Sequence, residues 1–171
     1  MRIEIWELGI ENREFGDLEQ NMIDKILYRC WQFYKAIFPC LNIEKWKAAK
    51  ELSDSRLRTL LEKLGKAEKA HTLRVLEYID KDSSLNSDLK AELSSFALVH
   101  DIGKAITKPS LFFKVAKVLF RLSSDAHCIA GSRAVWHLTH DKKLALRILR
   151  HHVKPNADPF LVIFQKYDDK A

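Results

Sequence analysis

The stretch Val99-His100-Asp101-Ile102-Gly103-Lys104 constrains this chain more than any other. A histidine and an aspartate stand side by side between the apolar run Phe96-Ala97-Leu98-Val99 and Gly103, a glycine that can end a helix, so a helix that buries the run delivers both polar groups to the core. Neighbouring side chains on a helix diverge by about 100°, which lets both lean toward one point. Neutral imidazole and carboxylate together suit zinc, manganese or iron, and Lys104 is spaced to meet a phosphate beside such a metal. Taken alone, a His-Asp pair at a helix end also serves as a cap or a simple hydrogen-bonded pair. What distinguishes the two readings is the company the pair keeps.

With 171 residues and 47% hydrophobic content, size does not limit the core. Five glycines and four prolines are few, and Leu, Ala, Lys and Glu are plentiful, so the expected class is all-α. Strand-like alternation is confined to Arg2-Ile3-Glu4-Ile5-Trp6-Glu7. A net charge of +6 favours anionic partners such as nucleotides, nucleic acid or phosphorylated metabolites, although the charges interleave on helix surfaces. Cys30, Cys40 and Cys128 form no metal spacing and cannot all pair, which fits a reducing, cytoplasmic setting. The first residues lack the apolar core of a signal peptide, and no apolar run approaches the roughly 20 residues that span a bilayer, so no membrane role is expected.

Apolar residues at helical spacing run from Asp17 to Phe38, where Pro39 stops them. Its aromatic stripe, Trp31, Phe33, Tyr34 and Phe38, reads as core packing before nucleic-acid stacking. Asn42 to Leu52 and Arg56 to Leu64 form two shorter helices around the turn Ser53-Asp54-Ser55, and Gly65 closes the second. Residues 1–65 carry no histidine and read as a helical extension that packs on the rest or meets a protein partner. Its cluster Lys45, Lys47 and Lys50 reads as a solvated helix face. Residues 66–171 hold the chemistry. Lys66 to Asp82 is a helix with His71 near its start, and Asn86 or Ser87 caps the helix that leads into His100-Asp101. The apolar segment Leu111 to Leu122 reads as a helix covering the site, and Ser123-Ser124-Asp125 caps a helix with His127 and Gly131 nearly on one face. That glycine lets another backbone approach. Cys128, turned about 100° from His127, reads as a buried structural thiol, and His137 and His140 fall on other faces. Asp141 caps Lys142 to Arg150, with His151-His152 at its end, and Asp158-Pro159 opens a last helix. There Leu161, Phe164 and Asp168 are spaced by three and four, so Asp168 rather than Asp169 shares the buried face. Asp168 stands three residues before the last residue, so either the natural chain runs on or the metal itself holds that final turn.

Five of the seven histidines, His71, His100, His127, His151 and His152, fall into one ordered set with Asp101 and Asp168. In the pentapeptide His100-Asp101-Ile102-Gly103-Lys104, in His127 with Gly131 four residues on, and in the His151-His152 pair, the chain resembles the HD superfamily of metal-dependent phosphohydrolases over about residues 66 to 171. The order is that of the version holding two metals. The resemblance implies a helical HD-domain bundle with an N-terminal helical extension. It also implies two divalent ions of iron, manganese or another transition metal, with Asp101 bridging. His71, His100 and Asp168 would complete one shell, and His127, His151 and His152 the other, with either His151 or His152 as the direct ligand of that pair. A hydroxide between the ions would attack phosphorus while Lys104 neutralises charge on the phosphate. The substrate implied is a nucleotide or another phosphoester.

Departures from the family narrow this reading. The Gly-Tyr-Pro signature of the cyclic di-GMP phosphodiesterases is replaced by Val153-Lys154-Pro155 after the His pair, and Ala67 stands where some relatives carry a glutamate for a third metal. Relatives acting on dinucleoside polyphosphates or cyclic di-AMP, and CRISPR-associated HD nucleases, share the ligand order, and no residue selects among them. Two alternatives share the same pocket: a regulatory module that binds a nucleotide without turning it over, and a di-iron oxygenase on the HD fold.

Overall fold

The computed structural model describes Tyr34 and residues 38–108 and 125–171. Most of the Asp17 to Phe38 helix, the alternating Arg2 to Glu7 stretch, the Leu111 to Leu122 segment, Ser123 and Ser124 lie outside the described residues. Every regular element among the described residues is a helix: α1 (Ile43–Glu51), a 3-10 turn (Ser55–Leu57), α2 (Arg58–Glu62), α3 (Lys66–Lys81), α4 (Ser87–Val99), α5 (Lys104–Thr107), α6 (Ala126–Thr139), α7 (Lys142–Arg150) and α8 (Pro159–Asp168). None of them is long and apolar enough to cross a membrane.

Local chemistry starts most of these helices where the sequence indicates. The side-chain oxygens of Asn42, Asn86 and Asp141 accept from the N–H groups of Lys45, Leu89 and Leu144, and Asp158 accepts from Phe160 with Pro159 in the first turn. Three expectations need correction. Asp125 stands at the start of α6 but its side chain makes no capping hydrogen bond. Gly65 does not close α2 in a left-handed turn; it has φ −68 and stands directly before α3. Gly103 likewise has ordinary right-handed backbone and opens α5, so its need for glycine comes from packing.

The core is built where α4 and α8 cross. Phe96 meets Phe160 and Phe164 edge-on, with ring centres 5.4 and 4.6 Å apart. Val75 and Ile79 of α3, Leu93 and Ala97 of α4, Val135 of α6, and Ile148 of α7 are fully buried in the same cluster. Trp46, Leu57 and Leu61 belong to it as well, so the described part of the N-terminal segment shares this core. Lys45 and Lys47 pair with Glu77 and Glu44 on a solvated face, whereas Lys50, expected to share it, is largely buried where it pairs with Glu62. Arg147 lies over the Phe160 ring at 3.6 Å and reaches Glu92 and Asp158, joining α7 to α4 and α8.

Candidate metal centre

The polar exception to this core is a group of histidines and carboxylates at its centre. His100 caps α4, and Asp101 and Ile102 turn the chain into α5. That turn is pinned by the contact of two glycines. A Cβ on Gly103 would stand 1.8 Å from the His127 carbonyl oxygen and 2.6 Å from the Gly131 nitrogen, so only glycine lets α5 sit on α6. Gly131 in turn sits against Gly103 and the Ile148 side chain. The two crossings therefore set the dyad, His127 and the end of α7 side by side.

His100 and His151 are held alike. Each Nδ1–H donates to a carbonyl three residues back, Ala97 at 2.8 Å and Ile148 at 2.7 Å, which leaves each Nε2 facing inward. Both Nε2 atoms, and Asp101 Oδ1, are buried without a hydrogen-bond partner among the described residues. Buried polar groups are rarely left so, and here three of them gather around one carboxylate. Around it, Asp101 divides the donors. Its Oδ2 lies 3.4 Å from His100 Nε2 and 2.5 Å from Lys104 Nζ, and its Oδ1 lies 3.5 Å from His127 Nε2 and 3.8 Å from His151 Nε2.

Two sets of donors flank this carboxylate, each with its ligand atoms within 4.8 Å of one another: His71, His100 and Asp168, and His127, Cys128, His151 and His152. His71 Nε2 donates to Asp168 Oδ1 at 2.8 Å, and the same oxygen lies 3.4 Å from His100 Nε2. His127 and His152 face each other through Nε2 at 3.1 Å. All the residues singled out in the sequence, His71, His100, Asp101, Lys104, His127, His151, His152 and Asp168, are thus brought together. Asp169 is not: it pairs with Lys154 on the exposed side.

Three features escape sequence reasoning. Cys128 is buried as expected, but its sulfur is not turned away from the centre; it lies 3.4 Å from His127 Nε2. Gln165 is buried and donates to the carbonyls of His151 and Val153, which fastens the histidine turn to α8 beside Asp168. Its spacing of three from Asp168 is the one signal that pointed there. Glu68, three residues before His71, is buried and adds to the acidic surroundings of Lys104.

Electrostatics follow from this packing. Burial opposes a charged His100, but Asp101 and Asp168 outweigh it and raise its pKa to about 10. Burial likewise works against the ionised Asp101 and Asp168, and the neighbouring Lys104 and His100 charges for the first, and His100 and His71 for the second, bring both well below the usual carboxylate range. Lys104 is raised because Asp101 overcomes its burial. On the other side, burial and then the charge on His100 push His151 down. His152 is the more exposed of its pair, yet its ring packs against His127 and His151, and that local burial first, then His151, pushes it down as well. The centre therefore sets His151 and His152, whose charged forms are disfavoured, on one side of Asp101 and the carboxylate-paired His100 on the other, and its imidazoles and carboxylates together are a donor set that fits divalent transition metals.

Compared with known proteins, the chain matches no family model, no curated sequence and no solved structure.

Proposed function

We propose that this chain is a metal-dependent phosphohydrolase of the HD type, acting on a nucleotide or another phosphoester. The observation that carries the reading is three buried, unbonded ligand atoms gathered around one carboxylate: Asp101 Oδ1 itself, His151 Nε2 at 3.8 Å from it, and His100 Nε2 at 3.4 Å from Oδ2, with Lys104 beside them. A neutral enclosed core has no use for that arrangement, whereas a pair of cations satisfies all three at once. His71, His100 and Asp168 would hold one ion, His127, His151 and His152 the other, and Asp101 would lie between them.

Bound there, two divalent ions supply Lewis acidity and a strongly nucleophilic water at neutral pH. The rest falls to the chain. The Ala97 and Ile148 carbonyls fix the ring orientation of His100 and His151, as outer-shell acceptors do at metal sites. Lys104 is partly buried and is the one ammonium beside Asp101 among the described groups, in reach of an incoming phosphoryl oxygen, where its charge would offset the charge that builds as the ester bond breaks.

The test is metal content per chain, measured on protein purified without chelator or affinity metal, with hydrolysis of a phosphoester panel, in wild type and Asp101→Ala. Close to two metal atoms per chain and turnover in the wild type, both lost in a variant that keeps its helical circular dichroism, are expected. Full hydrolysis by Asp101→Ala would remove the reading, and nucleotide binding without metal-stimulated turnover would replace it with the regulatory module.

A further inference from the structure

The sulfur of Cys128 is the one soft donor among the described groups at the centre. It is 1% exposed, lies 3.4 Å from His127 Nε2, and shares with His127, His151 and His152 a set of ligand atoms all within 4.8 Å. The His127–Cys128 separation matches that of donors around a common ion: bonds of about 2.0–2.1 Å to nitrogen and about 2.3 Å to sulfur place a tetrahedral nitrogen and sulfur about 3.5 Å apart. The second, independent sign that a ligand belongs here is His151 Nε2, fully buried, without a hydrogen-bond partner and aimed into the same set.

We propose that Cys128 is a metal ligand, so that the half of the centre formed by α6 and α7 is a mixed imidazole and thiolate site. This rests on the two-metal reading above and adds to it a consequence for metal choice. Thiolate ligation favours borderline and soft ions of the zinc, iron(II) and cobalt(II) kind over manganese and magnesium, which prefer oxygen. The other half, with two imidazoles and Asp168, has no sulfur and carries no such bias. The two ions of this centre are then chemically distinct, one held by nitrogen and oxygen and one by nitrogen and sulfur. The thiol proton leaves to solvent as the metal–sulfur bond forms, which couples uptake of this ion to pH.

The test uses the full chain carrying Cys30→Ser and Cys40→Ser, so that Cys128 is its only thiol, titrated with cobalt(II) and followed by absorption. A near-ultraviolet sulfur-to-cobalt charge-transfer band is expected as the ion binds. Adding Cys128→Ser, or Cys128→Ala if the serine variant loses its helical circular dichroism, removes the band and weakens zinc binding at least about tenfold, while manganese binding to the other half stays within a few fold. Cobalt bound by the single-thiol protein without a sulfur band would overturn the Cys128 proposal and leave the two-metal reading standing. No binding of cobalt, zinc or manganese by the wild-type chain would overturn both.

Discussion

Asp101 keeps different company at each oxygen: Oδ2 faces Lys104 and His100, while Oδ1 faces His127 and His151 and accepts no hydrogen bond. That asymmetry separates the roles of its neighbours. Replacing Lys104 with methionine is expected to lower kcat about 100-fold by removing a fixed positive charge from the transition state, with metal content unchanged, as read by steady-state kinetics beside metal analysis. The final carboxylates separate as sharply. Asp168→Asn should weaken metal binding about tenfold or more, whereas Asp169→Asn, which breaks only the exposed pair with Lys154, should leave it unaltered in the same titration. At this scale the site was legible wherever the signal was chemical type at a helical interval: a His-Asp dyad after an apolar run, and Asp168 in step with Leu161 and Phe164. Cys128 and Gln165 were hidden because their roles depend on how a side chain bends and on which carbonyl of another helix ends up beside it.

Helices α5, α6 and α7 meet through atoms that have no room to spare. A methyl group on Gly103 would overlap the backbone oxygen of His127, which cannot give way without moving α6. Gly103→Ala should therefore cost about 3 kcal/mol or more in urea unfolding and weaken metal binding too, because the same shift separates Asp101 from His127. Gly131→Ala places its methyl 3.0 Å from the Gly103 nitrogen and 3.2 Å from an Ile148 methyl, a milder crowding that should cost about 1 kcal/mol. The starts of α1, α4, α7 and α8 were readable because a cap acts over three residues of one segment. The uses of Gly65 and Gly103 were not, since a glycine that ends a helix and a glycine that admits a neighbouring backbone look the same in sequence.

Across the whole molecule, the first and last helices of residues 66–171 are tied at two places. At one, Tyr167 donates to Asp82 at 2.7 Å. Ser84 first and Tyr167 second hold the Asp82 carboxyl down at about 2, below its ordinary 3.8, so its contribution to stability is present above pH 3.8 and is lost as pH falls toward 2. Burial and then Asp82 push Tyr167 up to about 12 from 10.0, so its contribution is present below pH 10 and is lost as pH rises toward 12. Urea unfolding of wild type and Tyr167→Phe should therefore differ most between pH 5 and 9 and converge at both extremes; a difference that stays constant with pH would show that the hydroxyl does not couple to folding. The all-helical class was legible from composition and period, but this tie was not, because nothing local links Asp82 to Tyr167 across the intervening chain.

At the other place His71 meets Asp168, 97 residues away along the chain. An ion held between those two would close a ring through nearly the whole of the histidine-bearing part of the sequence, and the freedom such a ring removes from the unfolded chain grows with the logarithm of its length. Such an ion would then act as a buckle as well as a reagent: stripping it would loosen the last turn of α8 first, and would expose that turn to proteases before any other described helix had opened.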